Sequence, residues 1–365
     1  MTSPVALCAE SLALFPPDYR TARDQLQARA TASTMLADHA AYNVDNFSGI
    51  QGENLSTEVF WLGPRSAQNV VVLISATHGV EGFVGAAAQA DLLLRMKQGF
   101  KLPANTAVLI IFALNPYGFS WCRRCDEAGV DLNRNFIDFD QPLPQNTGYT
   151  QLQAAMYYAD AKQRQQLFDE YRQQHGQRAY EVAISGGQYS DPQGPFYGGQ
   201  APAHGRRVIE QVIERYQLAR LRLAVIDIHS GLGPYAHGEI INDHPLGSHG
   251  DALVHRWYGA SVTTPASGDS SSVIKQGLLD YCWHSLMTSA GCYVTLEFGS
   301  YPTQALFDVV LEDHRSWKSG DTEAKTNSAL AMKQHFCPQD VFWRELVLVK
   351  ARQVFQQALD GLAHD

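Results

Sequence analysis

The chain has 365 residues, 45% hydrophobic and 18% charged, and its 28 Lys and Arg against 37 Asp and Glu give a formal charge of −9. That composition excludes collagen, a coiled coil and a disordered chain, and its anionic balance argues against a nucleic-acid partner held through a phosphate backbone. Six cysteines are too sparse for a disulfide scaffold, and no stretch reaches the ~18 apolar residues of a membrane span. Met1 to Leu14 has no basic segment ahead of Pro16 and Pro17, which speaks against a signal peptide. A soluble, cytoplasmic protein with no membrane partner is expected.

Residues 19–43, rich in Ala, Gln, Arg and Leu, predict an amphipathic helix. Thr57 to Leu62 predicts a strand. Asn69 to Ala76 is an unbroken β-branched run, as in a strand buried on both faces, and it ends at Thr77-His78-Gly79. A helix is expected from Glu81 to Lys97 and a second buried strand from Thr106 to Leu114, stopped by Asn115-Pro116. Strand, helix, strand in this order is a βαβ unit and implies parallel strands. Residues 140–200 carry Pro, Gln and Gly clusters around a polar helical stretch near 150–173, and read as an insertion at the cleft rather than a linker. Gly186-Gly187 and the segment Gly194 to Gly199 within it have the composition of a mobile flap. Arg206 to Leu218 resumes as helix, Leu223 to Ile228 is a third buried strand, Gly238 to Ile241 a short one, and Cys292 to Phe298 a further one. Helices near 302–316 and 338–360 close the chain. Length alone, at about 150 residues per domain, allows two domains. The pattern predicts a single catalytic α/β domain over 1–365: three αβα layers, with a mostly parallel or mixed twisted sheet covered by helices on both faces.

Polar residues stand at the carboxyl ends of three buried strands, the edge where open α/β sheets bind ligands. His78 and Glu81 form an H-x-x-E turn, a spacing that lets an imidazole and a carboxylate converge on one ion. Read alone, the pair is equally a strand-end histidine and a first-turn helix charge. His229, in Asp227-Ile228-His229-Ser230-Gly231, would complete a His₂Glu set that leaves a coordination position open for water. Asp227 reads as a supporting carboxylate and not as a bridge between two metals. Glu297 lies among apolar strand residues, where a carboxylate is costly unless it is paired or faces a site. Arg123, Arg124, Asp131, Asn133 and Arg134 make either an anion pocket or a solvated loop. Cys122 and Cys125 form a C-x-x-C pair without the second pair of a zinc ribbon, and read as free thiols. His237, His244, His249 and His255 are irregularly spaced and read as a solvated loop.

The order H-x-x-E, then Arg124 with six residues between it and Asp131-Leu132-Asn133-Arg134-Asn135-Phe136, then Asp227-Ile228-His229-Ser230-Gly231, then Thr295-Leu296-Glu297-Phe298-Gly299 resembles the zinc carboxypeptidase superfamily. The resemblance runs from about residue 70 to 300 and is nearest to a bacterial metallopeptidase branch related to aspartoacylase and succinylglutamate desuccinylase. It implies a carboxypeptidase-like (phosphorylase/hydrolase-like) fold and one zinc ion held by His78, Glu81 and His229. It implies that Glu297 is the general base, that Arg124 stabilises the oxyanion, that Asn133 and Arg134 grip a terminal carboxylate, and that Asp131 orients His78. The adjacency of Arg123 and Arg124 leaves their roles exchangeable. A catalytic tyrosine, which such enzymes take from a mobile loop, has Tyr235, Tyr258 and Tyr281 as candidates, and the stretch Asp269 to Ser272 with Lys275 is a candidate side-chain pocket. The implied activity is hydrolysis of a peptide or acyl-amino acid with a free carboxylate. An N-acyl amino acid deacylase, or a non-catalytic binding module that keeps the fold, are the alternatives.

Overall fold

Runs of Val, Ile and Leu that cannot be satisfied on one face alone build the centre of the molecule. The computed structural model describes residues 9–158, 160–287 and 291–364. Its sheet has eight strands: β1 (Leu36–Ser48), β2 (Asn54–Leu62), β3 (Asn69–Ser75), β4 (Thr106–Phe112), β5 (Arg222–Ser230), β6 (Gly238–Ile241), β7 (Val262–Thr263) and β8 (Gly291–Phe298). Their order across the sheet is β1-β2-β4-β3-β5-β8-β6-β7. The central four, β4, β3, β5 and β8, run parallel, while β1, β2 and β6 pair antiparallel to their inner neighbours.

Alternate residues of each central strand serve opposite faces. Val71, Leu73, Ala224, Ile226, Val294 and Leu296 pack on one face with helices Tyr19–Thr31, Gly82–Lys97, Thr303–Ser319 and Val341–His364. Val70, Val72, Ile74, Leu223 and Val225 pack on the other with helices His204–Arg215 and Asp280–Leu286. The three αβα layers and the mixed sheet are those predicted. Among the described residues no helix is long and apolar enough to cross a membrane.

The chain leaves β3 for β4 on one side and returns to β5 on the other, so the strand order reverses between β3 and β5. That switch point opens a crevice beyond the carboxyl ends of the strands.

Several elements differ from expectation. The helix predicted over 19–43 stops at Thr31, capped at its start by Asp18, and residues 36–48 form β1 instead. Main-chain pairing with β2 outweighs the helix propensity of an Ala-rich segment there. The insertion carries three helices, Thr147–Met156, Ala161–His175 and Gln177–Ser185, rather than one. A helix at Thr322–Phe336 lies between the two expected near the end. The histidine-rich stretch is solvated as expected at His237, His249 and His255, but not at His244, and it is not all loop. Helix His249–Tyr258 takes in two of its members, and His244 is buried, stacked on His284 at 3.8 Å and accepting the Tyr293 amide hydrogen.

Candidate metal centre and substrate cavity

The H-x-x-E turn follows β3 directly. His78 is in extended backbone, and residues 79–81 form a single tight turn that opens helix Gly82–Lys97. Position 79 must be glycine: a Cβ there would stand 2.1 Å from the Gly118 carbonyl carbon. This close approach lets the amides of Gly79 and Val80 donate to the carbonyls of Arg124 and Arg123, tying the ligand turn to the arginine loop. His229 lies in β5, and parallel register sets it directly beside Glu297 of β8.

His78, Glu81 and His229 are all buried and offer atoms that lie within 4.8 Å of one another. His78 Nδ1 is 2.8 Å from Glu81 Oε1, His229 Nδ1 is 2.9 Å from Glu81 Oε2, and the two Nδ1 atoms are 3.1 Å apart. The outer nitrogens have partners that fix the rings. His229 Nε2 donates to Asp227 Oδ2 at 2.6 Å, and Asp227 also accepts from Thr77 Oγ1 and the Tyr293 hydroxyl. His78 Nε2 lies 3.1 Å from Asp131 Oδ1 and 2.6 Å from Arg124 Nη2. With a proton on Nε2 it donates to Asp131; without one it accepts from Arg124. Carboxylates behind both rings are the usual support of metal-ligating histidines. Burial alone would raise Glu81, but the two imidazoles hold it well below the usual carboxylate range. Burial would lower His229, but Asp227 and Glu81 hold it well above its ordinary value. Two imidazole nitrogens and a carboxylate converging on one point fit a divalent ion of the zinc type.

Around these atoms lies a small cavity of about 70 Å³ that opens to solvent. Glu297 lines it, accepts the Leu232 amide hydrogen at 3.1 Å, and is pushed up to about 8 by burial and then by the Glu81 charge. Arg124 also lines it and donates from Nε to Asp131 Oδ2 at 2.8 Å. Arg123 points elsewhere, donating to Asp313 and lying over the Trp317 ring at 4.1 Å. Asn133 and Arg134 line the cavity as well. Asn133 Oδ1 accepts the Leu279 amide hydrogen, and the fully buried Arg134 spends part of its fork on the carbonyls of Ser185 and Asn133. Asp131 does not line the cavity, and stands behind His78 and Arg124.

Other candidates fall out of the site. Tyr235 bonds Asp340 at the surface, Tyr258 is buried in the core, and Tyr281 donates to the Lys275 carbonyl; none lines the cavity. The tyrosine that does is Tyr293. Burial pushes the thiols of Cys122 and Cys125 up to about 11 and about 12, the opposite of redox activation. Ser271, Ser272 and Lys275 do line the cavity, together with Asp243 and Asp280, which no sequence motif marked. Gly186-Gly187 and Gly194 to Gly199 are buried; Phe196 from the second segment and Ser185, just ahead of the first, line the same cavity.

A family model described as "Protein of unknown function (DUF2817)" matches residues 15–350, so the chain belongs to that family. No curated protein is detectably similar in sequence. Among solved structures, thrombin activatable fibrinolysis inhibitor shares 12% identity over 91% of this chain and 76% of its own, with a TM-score of 0.50. Carboxypeptidase A from Helicoverpa armigera shares 14% over 88% and 74%, with a TM-score of 0.49. Murein-tripeptide amidase MpaA from Escherichia coli O157 shares 16% over 87% and 97%, with a TM-score of 0.37. The α/β fold is similar to that of thrombin activatable fibrinolysis inhibitor.

Proposed function

We propose that this member of the DUF2817 family is a zinc-dependent amide hydrolase, carboxypeptidase-like, acting as one catalytic domain on peptides or acyl-amino acids with a free carboxylate. The observation that carries the reading is the convergence of His78 Nδ1, His229 Nδ1 and Glu81 at a strand switch point, with Glu297 paired in register beside His229. His78, Glu81 and His229 would hold the ion, which when bound supplies a Lewis acid and lowers the pKa of water toward about 7.

The chain's own residues supply the remaining parts. Glu297 takes a proton at its carboxylate and returns it to the leaving nitrogen; a group tuned between the two tasks transfers protons best near its own pKa. Arg124, held through Nε by Asp131 and through Nη1 by Glu81 at 3.4 Å, still has guanidinium N–H groups to offer the charge that develops on the carbonyl oxygen, usually the largest single contribution to such catalysis. Arg134 and Asn133, also in the cavity lining, set the distance between the bound carboxylate and the bond that breaks. Asp227 and Asp131 hold the two imidazoles in the orientation that points Nδ1 inward.

The small volume of the cavity, which Ser185 and Phe196 help to line, favours a small acyl-amino acid as a second reading of the same chemistry. A panel of short peptides, their C-terminal amides and N-acyl amino acids separates the readings. The proposal expects hydrolysis that requires the free carboxylate; turnover of amides as fast as acids would contradict the assigned role of Arg134 and Asn133.

A further inference from the structure

The segment 185–199 is fastened around the arginine loop at many points. Ser185 O accepts from Arg134 Nε and Nη2, and the Tyr189 hydroxyl donates to Arg134 O at 2.6 Å. The Asp131 amide donates to Tyr197 O at 2.7 Å, and Asn135 Nδ2 donates to Gly198 O at 2.8 Å. Gly187, at φ +104, lets Arg134 pass: a Cβ there would stand 2.7 Å from Arg134 Cδ.

At the centre of this wall is Phe196. Its backbone is in the left-handed region, φ 57, which bulky residues rarely adopt. The conformation is held by the Gln188 amide, which donates to Phe196 O, and by the Gly198 amide, which donates back to Gln188 O. The ring is buried and lines the cavity. It faces both arginines, with the Arg124 guanidinium carbon 5.1 Å and the Arg134 guanidinium carbon 5.8 Å from its centroid. Two desolvated like charges in one cavity repel, and both burial and the Arg124 charge lower the Arg134 pKa. An aromatic face carries negative potential and attracts a cation, most strongly where water is excluded.

Resting on the hydrolase reading above, we propose that Phe196 is the positioning residue of the arginine pair. Its ring face holds the Arg124 and Arg134 guanidinium groups side by side toward the cavity. A substrate carboxylate and the developing oxyanion then meet cations already in place. The ring does not touch the reacting atoms; it acts through the two arginines.

The test is a set of full-length, zinc-loaded variants: Phe196→Leu, Phe196→Tyr, and position 196 carrying mono-, di- and trifluorophenylalanine. Fluorine withdraws electron density from the ring face while nearly keeping its shape, so the series reports the electrostatic role even if the leucine variant folds poorly. The readouts are the calorimetric Kd of N-acetylglycine as a carboxylate probe, KM and kcat on the best panel substrate, zinc content and Tm. The expected result is a Kd and KM that climb with each added fluorine, about 3- to 30-fold at the end of the series. Phe196→Tyr should stay within about twofold of the parent, since a phenol keeps the same cation-binding face, and zinc content should be unchanged. A flat fluorine series with unchanged Tm would overturn the proposal, as would hydrolysis by the parent protein without binding of the probe. A parent protein that binds the probe, responds to fluorine and hydrolyses nothing would instead overturn the hydrolase reading and leave Phe196 its role.

Discussion

Glu297→Gln is the most informative single substitution. Gln has the length of Glu, and its Oε1 can still accept the Leu232 amide hydrogen that Glu297 accepts at 3.1 Å, so the turn after β5 keeps its anchor. The parallel pairing of β5 with β8 is main-chain and does not depend on the carboxylate, so residue 297 stays beside His229. What is lost is a group able to take and return a proton. A positioned general base contributes about 10²- to 10⁴-fold, or about 3–5 kcal/mol of barrier. The assay is steady-state hydrolysis of the best panel substrate, paired with zinc content by elemental analysis. kcat should fall by about two to four orders of magnitude, with zinc retained and KM little changed, because Glu297 is neither a ligand nor a carboxylate anchor in this account. Zinc-loaded Glu297→Gln with full activity would refute the assignment of the base. Loss of zinc would refute the separation of base from ligand set.

Asp227→Asn should weaken zinc affinity by about 10- to 100-fold without abolishing folding, because the acceptor that orients His229 Nε2 at 2.6 Å becomes an amide able to turn its donor toward the ring; competition titration against a chelator reads this directly. Arg134→Ala should raise KM for carboxylate substrates and also lower Tm, since the buried Ser185 carbonyl loses both of its guanidinium bonds, a loss of about 1–3 kcal/mol; unchanged Tm would mean that the wall does not depend on it. Asp126 is pushed up to about 8 by burial and then by the Glu127 charge. Between the ordinary carboxylate value and about 8 the folded chain therefore binds more protons than the unfolded one, and stability falls as pH rises through that window. Asp126→Asn, which can still accept the Ala128 and Val130 amides, should flatten that slope and unfold later than the parent at pH 8 while matching it near pH 4; denaturant curves at the two pH values decide it.

How legible each part was follows from where its determinants lie. β3, β4, β5 and β8 could be read because strands buried on both faces must be continuous runs of branched apolar residues, and each ended where a polar residue broke the run. The same breaks exposed His78, His229 and Glu297, since nothing in a buried strand calls for them. β1 was hidden because an edge strand half open to solvent needs no alternation, and its Ala-rich first half has helical propensity. Helix Thr322–Phe336 was hidden because it buries only Ser328, Met332, His335 and Phe336 among its described contacts with the core, too few to mark an apolar stripe. The choice between Arg123 and Arg124 was undecidable from adjacency and is made by a partner far away in sequence, Asp313. Phe196 stands in Gly-Pro-Phe-Tyr-Gly-Gly, which reads as a loop; its meaning comes from arginines over sixty residues earlier in the chain. Asp243 and Asp280 carry no motif and gain significance only from the cavity they share with Lys275.

The proposed hydrolysis requires that His78, Glu81 and His229 hold a catalytic ion. The most direct measurement is metal content of the purified chain by elemental analysis, taken with hydrolysis of the peptide and acyl-amino-acid panel before chelation, after it, and after zinc is restored. The account predicts about one zinc per chain, as a His₂Glu site holds, with activity lost on chelation and recovered with zinc. A chain that binds no zinc when it is supplied, or that hydrolyses the panel equally well without it, would contradict the account.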